Sequence, residues 1–151
     1  MLYFDTSAVL PYYREEAASR PVQQMLQAST RPVLVSHLTR VEVASALARW
    51  VRMGELSEAQ ANRIESPFLE DLRAGRFVRV SLDPEVFERA CHWLLTRRSS
   101  LRTLDALHLA AAEICGAELV TLDRPLVQAA RLFGVTVRCP GEDPAEPGQL
   151  D

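Results

Sequence analysis

The sequence predicts an α/β fold in which a mainly parallel sheet is covered by helices on both faces. Short apolar runs alternate with longer stretches of helical period along the body of the chain, the pattern of parallel strands joined by crossover helices. Two of these runs end in an aspartate at the start of a helix: Leu2-Tyr3-Phe4 leads directly into Asp5, and Glu118-Leu119-Val120-Thr121 leads through Leu122 into Asp123. Strand ends of this kind are where open α/β sheets present ligand-binding groups. The most regular helical stretch, Leu101 to Cys115, sets Leu101, Leu104, Leu109, Ala112 and Cys115 along one face of a helix and carries Asp105 on that apolar face.

Taken in order, Leu2-Tyr3-Phe4 is a buried strand, and Asp5-Thr6-Ser7 caps a helix beginning near Ala8. Pro11 shortens or bends that helix, and a second runs from about Glu16 to Ala28. Pro32 to Ser36 is the second strand. Leu38 to Met53 is a long helix closed by Gly54, and Ser57 caps the next, which extends to about Ala74 with an interruption or kink at Pro67. Phe77 to Val80 is the third strand. Asp83-Pro84 opens a helix to about Arg97, with Asp as cap and Pro in the first position. The helix of Leu101 to Cys115 follows, capped by Ser99, Ser100 or Thr103 and stopped by Gly116. Glu118 to Thr121 is the fourth strand, Pro125 lies in the first turn of the next helix, and Val135 to Val137 is the last strand.

The 151 residues fit one domain with a sizeable core, and neither a linker nor an internal repeat divides it. No apolar run reaches the roughly 18 residues of a membrane span, and no basic segment precedes an apolar one at the start, so a cytoplasmic protein without a membrane partner is expected. Cys91, Cys115 and Cys139 are odd in number and far apart, which indicates neither a disulfide framework nor a thiolate zinc site; the first two are expected to be buried. The formal charge of −3 argues against binding nucleic acid through bulk electrostatics. Four of the acids lie in residues 140–151, PGEDPAEPGQLD, so the rest of the chain comes to −3 + 4 = +1. Pro, Gly and acids without an aromatic predict a disordered acidic tail at 140–151, behind a domain of residues 1–139.

A single acid in a first helical turn is accounted for by the helix dipole. Asp105, however, stands among Leu101, His108 and Leu109 at helical steps, where a carboxylate must leave water and calls for a compensating cation. Glu42 lies among Leu38, Val41, Val43 and Leu47, with small Ser45 and Ala46 leaving room around it. Asp5 and Asp123 stand at strand ends on the same edge, onto which Asp105 and Glu42 can converge. Four carboxylates brought together repel unless a cation neutralises them, and hard oxygen donors without His or Cys spacing suit Mg²⁺ or Mn²⁺. Such an ion activates water and stabilises a departing oxygen, so phosphodiester hydrolysis is the expected chemistry.

MLYFDTSAVL at the start, V-E-V-A at Val41 to Ala44, LRTLDALHLA at Leu101 to Ala110 and LVTLDRPL at Leu119 to Leu126 resemble the PIN-domain ribonucleases, specifically the VapC-like toxins of bacterial toxin–antitoxin pairs. The resemblance implies a three-layer α/β/α sandwich, a Mg²⁺- or Mn²⁺-dependent endoribonuclease acting on RNA, a cognate antitoxin that covers the site, and a homodimer. It makes Asp5, Glu42, Asp105 and Asp123 the catalytic, metal-binding quartet. Thr6 or Ser7 and Thr121 are its hydroxyls for positioning water or phosphate, and Arg102 and Arg124 flank two of the acids as candidate phosphate contacts. Pro11 departs from the family pattern, in which the first helix often continues with a polar or basic residue. His108 is read as a packed helix histidine.

Receiver domains and haloacid-dehalogenase-like phosphatases also use a strand-end Asp with Mg²⁺, but they rely on a lysine, and this chain has none; nor is there a P-loop. Two other readings stay open. A non-catalytic PIN-like module would hold RNA or antitoxin without cutting, and a structural α/β domain with four capping acids would be indifferent to divalent cations.

Overall fold

The computed structural model describes residues 1–142. The chain forms β1 (Leu2–Phe4), α1 (Thr6–Tyr13), α2 (Ser19–Ala28), β2 (Val33–Ser36), α3 (His37–Arg52) and α4 (Glu58–Arg73). It continues through β3 (Phe77–Val80), α5 (Pro84–Leu95), α6 (Thr103–Ile114), β4 (Glu118–Val120), α7 (Arg124–Leu132) and β5 (Val137–Arg138). The strands make one sheet of order β3-β2-β1-β4-β5, parallel at every pairing. This is the α/β/α sandwich the sequence predicts.

The layers follow from strand alternation, since successive side chains point to opposite faces. Tyr3, Leu34 and Leu119, paired across β2, β1 and β4, point to one face and pack with α5, α6 and α7. Phe4, Val33, Val35 and Val120 point to the other and pack with α1 to α4. Both sides of each central strand are therefore apolar, as in parallel sheets covered on both faces. On the second face Tyr13, Phe68 and Phe77 form a run of rings with centroids 5.6 and 6.5 Å apart, and Phe4 extends it at 6.4 Å from Phe77.

The order of strands places the site. The chain steps outward from β1 to β2 and β3, then returns across the centre to β4 and β5. The reversal lies between β1 and β4, and in such sheets the crevice for ligands opens there, beyond the carboxyl ends of the strands. Asp5 follows β1 and Thr121 follows β4.

Several expected boundaries move. Helix α1 begins at Thr6 rather than Ala8, because Asp5 itself is the N-cap, and Pro11 lies inside it, two residues before the end. Helix α2 begins at Ser19 rather than Glu16; the Ser19 hydroxyl instead organises the preceding loop, accepting from Glu16 N–H and donating to Arg14 C=O. Helix α4 is continuous through Pro67, with the Ser57/Gln60 capping box at its start. The last strand is Val137–Arg138, since Val135 closes the turn after α7 through its bond to the Ala130 carbonyl. On α6 the apolar face is not the expected one. Leu104 is 43% exposed, and the buried run is Ala106 to Ala112; Arg102 is the N-cap, with no side-chain cap bond. Cys91 is exposed and Cys115 half-buried, contrary to expectation, because α5 turns Val86, Ala90 and Trp93 inward and leaves Cys91 outside. Of the expected tail, Pro140 is buried and Glu142 pairs with Arg124, while residues 143–151 lie outside the described residues.

Phe68 is 1% exposed at the middle of the aromatic run. Phe68→Ala is expected to cost about 3–5 kcal/mol, read from urea denaturation as a lower midpoint at unchanged slope; a loss under about 1 kcal/mol would mean the run is not a packed unit.

Candidate active site

The carboxyl edge of the sheet is built outward from Asp5. Asp5 N–H continues the ladder to the Val120 carbonyl at 3.1 Å, which locks the residue to β4 as well as β1. Its carboxylate is 4% exposed and accepts three bonds: Ala8 N–H at 3.0 Å and Ser7 Oγ at 2.7 Å on Oδ1, and Thr121 Oγ1 at 2.7 Å on Oδ2. Burial pushes this carboxyl above the usual aspartate range, against the opposing influence of His108 and the three hydrogen bonds. Thr121 in turn accepts from Asp123 N–H at 3.0 Å, and Ser7 Oγ accepts from Leu122 N–H at 2.9 Å. The two strand ends are thus stitched together through hydroxyls.

Asp123 caps α7 by accepting from Leu126 N–H at 3.0 Å. Asp105, in the first turn of α6, faces it across Arg102, whose guanidinium reaches Asp105 Oδ2 at 3.2 Å and Asp123 Oδ2 at 3.6 Å. Burial and the nearby Asp123 charge raise the Asp105 carboxyl, and Arg102 and His108 oppose them. Glu42, in the second turn of α3, accepts from Thr6 Oγ1 at 2.8 Å and contacts His108 Nε2 at 2.5 Å, both through Oε1. Burial alone would raise this carboxyl, but the His108 and Thr6 contacts outweigh it and hold it below the usual glutamate range.

All four sequence-predicted acids therefore stand at one edge, with Thr6, Ser7 and Thr121 between them. Arg102 bridges two of the acids, whereas Arg124 reaches Glu142 at 2.7 Å. As the side chains stand, no three carboxylate, imidazole or thiol groups among the described residues form a metal-ligating cluster. The physical reason is visible in the bonds: Asp5 and Glu42 turn to protein donors, and Asp105 and Asp123 turn to Arg102. In kind, the donors nonetheless fit a hard divalent cation. They are carboxylates and hydroxyls with no thiol, and Asp105 and Asp123 already share one cation, the guanidinium.

A PIN domain family model matches residues 2–132. The chain belongs to the PIN-domain family. Among its relatives, this PIN domain is 30% identical to Ribonuclease VapC35 of Mycobacterium tuberculosis, over 94% of this chain and 98% of the relative. It is 31% identical to Ribonuclease VapC3 of Pyrobaculum aerophilum, over 84% of this chain and 92% of the relative. Within the family the chain is therefore VapC-like. Its fold matches a toxin–antitoxin complex from Klebsiella pneumoniae with a TM-score of 0.58 at 21% identity, covering 82% of this chain and 87% of that one.

Sequence reasoning did not find the inner partners of this PIN site. Tyr3 reads as core, yet its phenol contacts His108 Nδ1 at 2.8 Å, and His108 is more than a packed helix histidine. The signal for His108 was its position three residues after Asp105; nothing local marks Tyr3, which lies 105 residues away in sequence. The buried hydroxyls of Ser36 and Thr39, both without partners, were likewise unmarked.

A carboxyl raised by folding binds protons more readily in the native state, so its contribution to stability falls as pH climbs from the unfolded value near about 4 through the folded one. Asn caps helices as well as Asp, and the Thr121 hydroxyl has Ser7 Oγ at 3.2 Å to turn to. Asp5→Asn is therefore expected to melt no lower than wild type at pH 7 in chelator, with any advantage vanishing toward about pH 4. A variant several degrees less stable at pH 7 would contradict the burial account.

Proposed function

We propose that this protein is a Mg²⁺- or Mn²⁺-dependent endoribonuclease, the toxin of a toxin–antitoxin pair. The observation that carries this reading is the convergence of Asp5, Glu42, Asp105 and Asp123 on the carboxyl edge at the strand reversal, each side chain bonded to named neighbours. Four acids facing a phosphate backbone repel it unless a cation intervenes, so a site built only to hold RNA gains nothing from them. The VapC ribonucleases among the relatives support the substrate class.

Asp5, Glu42, Asp105 and Asp123 are the residues that would hold the ion, which when bound supplies an activated water and neutralises charge on the leaving oxygen. Asp5 gives the site its rigidity, since both its oxygens are fixed by hydroxyl or backbone donors. Thr6, Ser7 and Thr121 orient carboxylates and stand where water or phosphate oxygens approach. The Arg102 side chain is 78% exposed and the Arg124 side chain 77%, so both can swing from their carboxylate partners to a phosphate. An antitoxin would silence the enzyme by covering this edge, in keeping with the toxin–antitoxin complex whose fold this chain shares. The protein acts in the cytoplasm, where RNA and antitoxin are found, as a homodimer.

The test is incubation of the antitoxin-free protein with a pool of cellular RNA in Mg²⁺ or Mn²⁺, and then in chelator, beside Asp105→Asn. Discrete fragments that require the metal, and that fall on the order of 10²- to 10³-fold in the variant, are expected. An intact pool with wild type, together with equal RNA binding by both proteins, would replace the nuclease with a binding module.

A further inference from the structure

Behind Glu42 runs a chain of buried polar groups that the proposed chemistry leaves unused. Tyr3 is wholly buried at the centre of the sheet, and its hydroxyl lies 2.8 Å from His108 Nδ1. His108, 2% exposed on α6, contacts Glu42 Oε1 through Nε2. Polar groups are costly in such a place unless bonded, and an apolar pair of the same shape would serve the core as well.

The chemistry of the groups sets the direction of each bond. An ionised carboxylate only accepts, so Nε2 carries a proton and donates to Oε1. With the ring proton on Nε2, Nδ1 is the acceptor, and the Tyr3 O–H donates to it. The opposite arrangement, with Nδ1 donating to the phenol oxygen, would turn the phenol proton elsewhere. Among the described residues the phenol oxygen makes its one hydrogen bond to His108, so no second acceptor is bonded to take that proton. On the other side of the carboxylate, Thr6 Oγ1 donates to the same Oε1. Two donors thus converge on one oxygen of Glu42, and none of the described residues bonds Oε2.

We propose that Tyr3 and His108 are positioning residues for Glu42: Tyr3 sets the tautomer of His108, His108 and Thr6 pin Oε1, and Oε2 is left as the oxygen available to a divalent cation. The inference rests on the metal-dependent reading of the site. Groups that orient a metal's carboxylate or imidazole ligands typically alter metal affinity or activity by about 10- to 100-fold when removed. A purely structural Tyr3 would change stability and leave cation affinity alone.

The experiment measures Mn²⁺ affinity by the electron paramagnetic resonance signal of the free ion, on antitoxin-free protein stripped of metal. It compares wild type, Tyr3→Phe, Glu42→Gln and the double variant, with melting curves for each. Tyr3→Phe keeps the ring and removes only the hydroxyl. Affinity about tenfold or more weaker in Tyr3→Phe, and less than about twofold changed by the same substitution in the Glu42→Gln background, is expected. Wild-type affinity in Tyr3→Phe, or an equal loss in both backgrounds, overturns the positioning role alone. Absence of Mn²⁺ binding by wild type overturns the metal-dependent reading and this inference with it. Should Tyr3→Phe fail to fold, nitrogen NMR of ¹⁵N-histidine-labelled wild type decides: a proton on His108 Nε2 is expected, and one on Nδ1 alone overturns the proposal.

Discussion

Negative charge concentrated at a poorly solvated sheet edge is the constraint from which the rest of this molecule follows. A carboxylate 4% exposed, as Asp5 is, cannot be stabilised by water, so its neighbours must supply donors. Ser7, Ala8 and Thr121 do so, and each of these bonds also performs a structural task. Ala8 N–H begins α1, and Thr121 ties the end of β4 to β1. Asp123 and Asp105 reach the same end by another route, sharing the guanidinium of Arg102. The edge holds together through groups that a divalent cation would partly replace.

Fold and site are coupled through β1. As the central strand it carries Tyr3 to one face and Phe4 to the other, so a single three-residue element contributes to both cores and delivers Asp5 to the strand reversal. Its alternation also places the Tyr3 hydroxyl under α6, where it meets His108. Moving β1 by one residue would exchange the two faces and remove both the core and the inner support of Glu42. The proposed cation ligand Asp5 therefore follows directly on the packing residues Tyr3 and Phe4, which leaves little room for substitution along Leu2 to Asp5.

Much of this was legible in the sequence, for identifiable reasons. Alternating strands and helices gave the sandwich because both faces of each central strand are apolar, and strand-acid-helix junctions at Asp5 and Asp123 marked the edge because caps and ligands demand the same residue types there. Asp105 was noticed through its apolar neighbours, although the face assigned to α6 was wrong: Leu104 is exposed, and Ala106 to Ala112 are buried on all sides between α5, α7 and the sheet. Val135 reads as strand by composition but belongs to the turn after α7, where a backbone bond to Ala130 decides its place. What local pattern could not supply was pairing across long separations. That Tyr3 lies under His108, that Thr6 rather than solvent holds Glu42, and that Arg102 bridges two acids are consequences of topology, and no short window of residues contains them.

Anomalous diffraction from crystals of the antitoxin-free protein soaked in Mn²⁺ tests most directly whether this edge is a cation site. The account predicts a manganese peak bounded by Asp5, Glu42, Asp105 and Asp123, with Arg102 displaced from the space between Asp105 and Asp123. No peak at saturating Mn²⁺, with the guanidinium still spanning those two carboxylates, would contradict it.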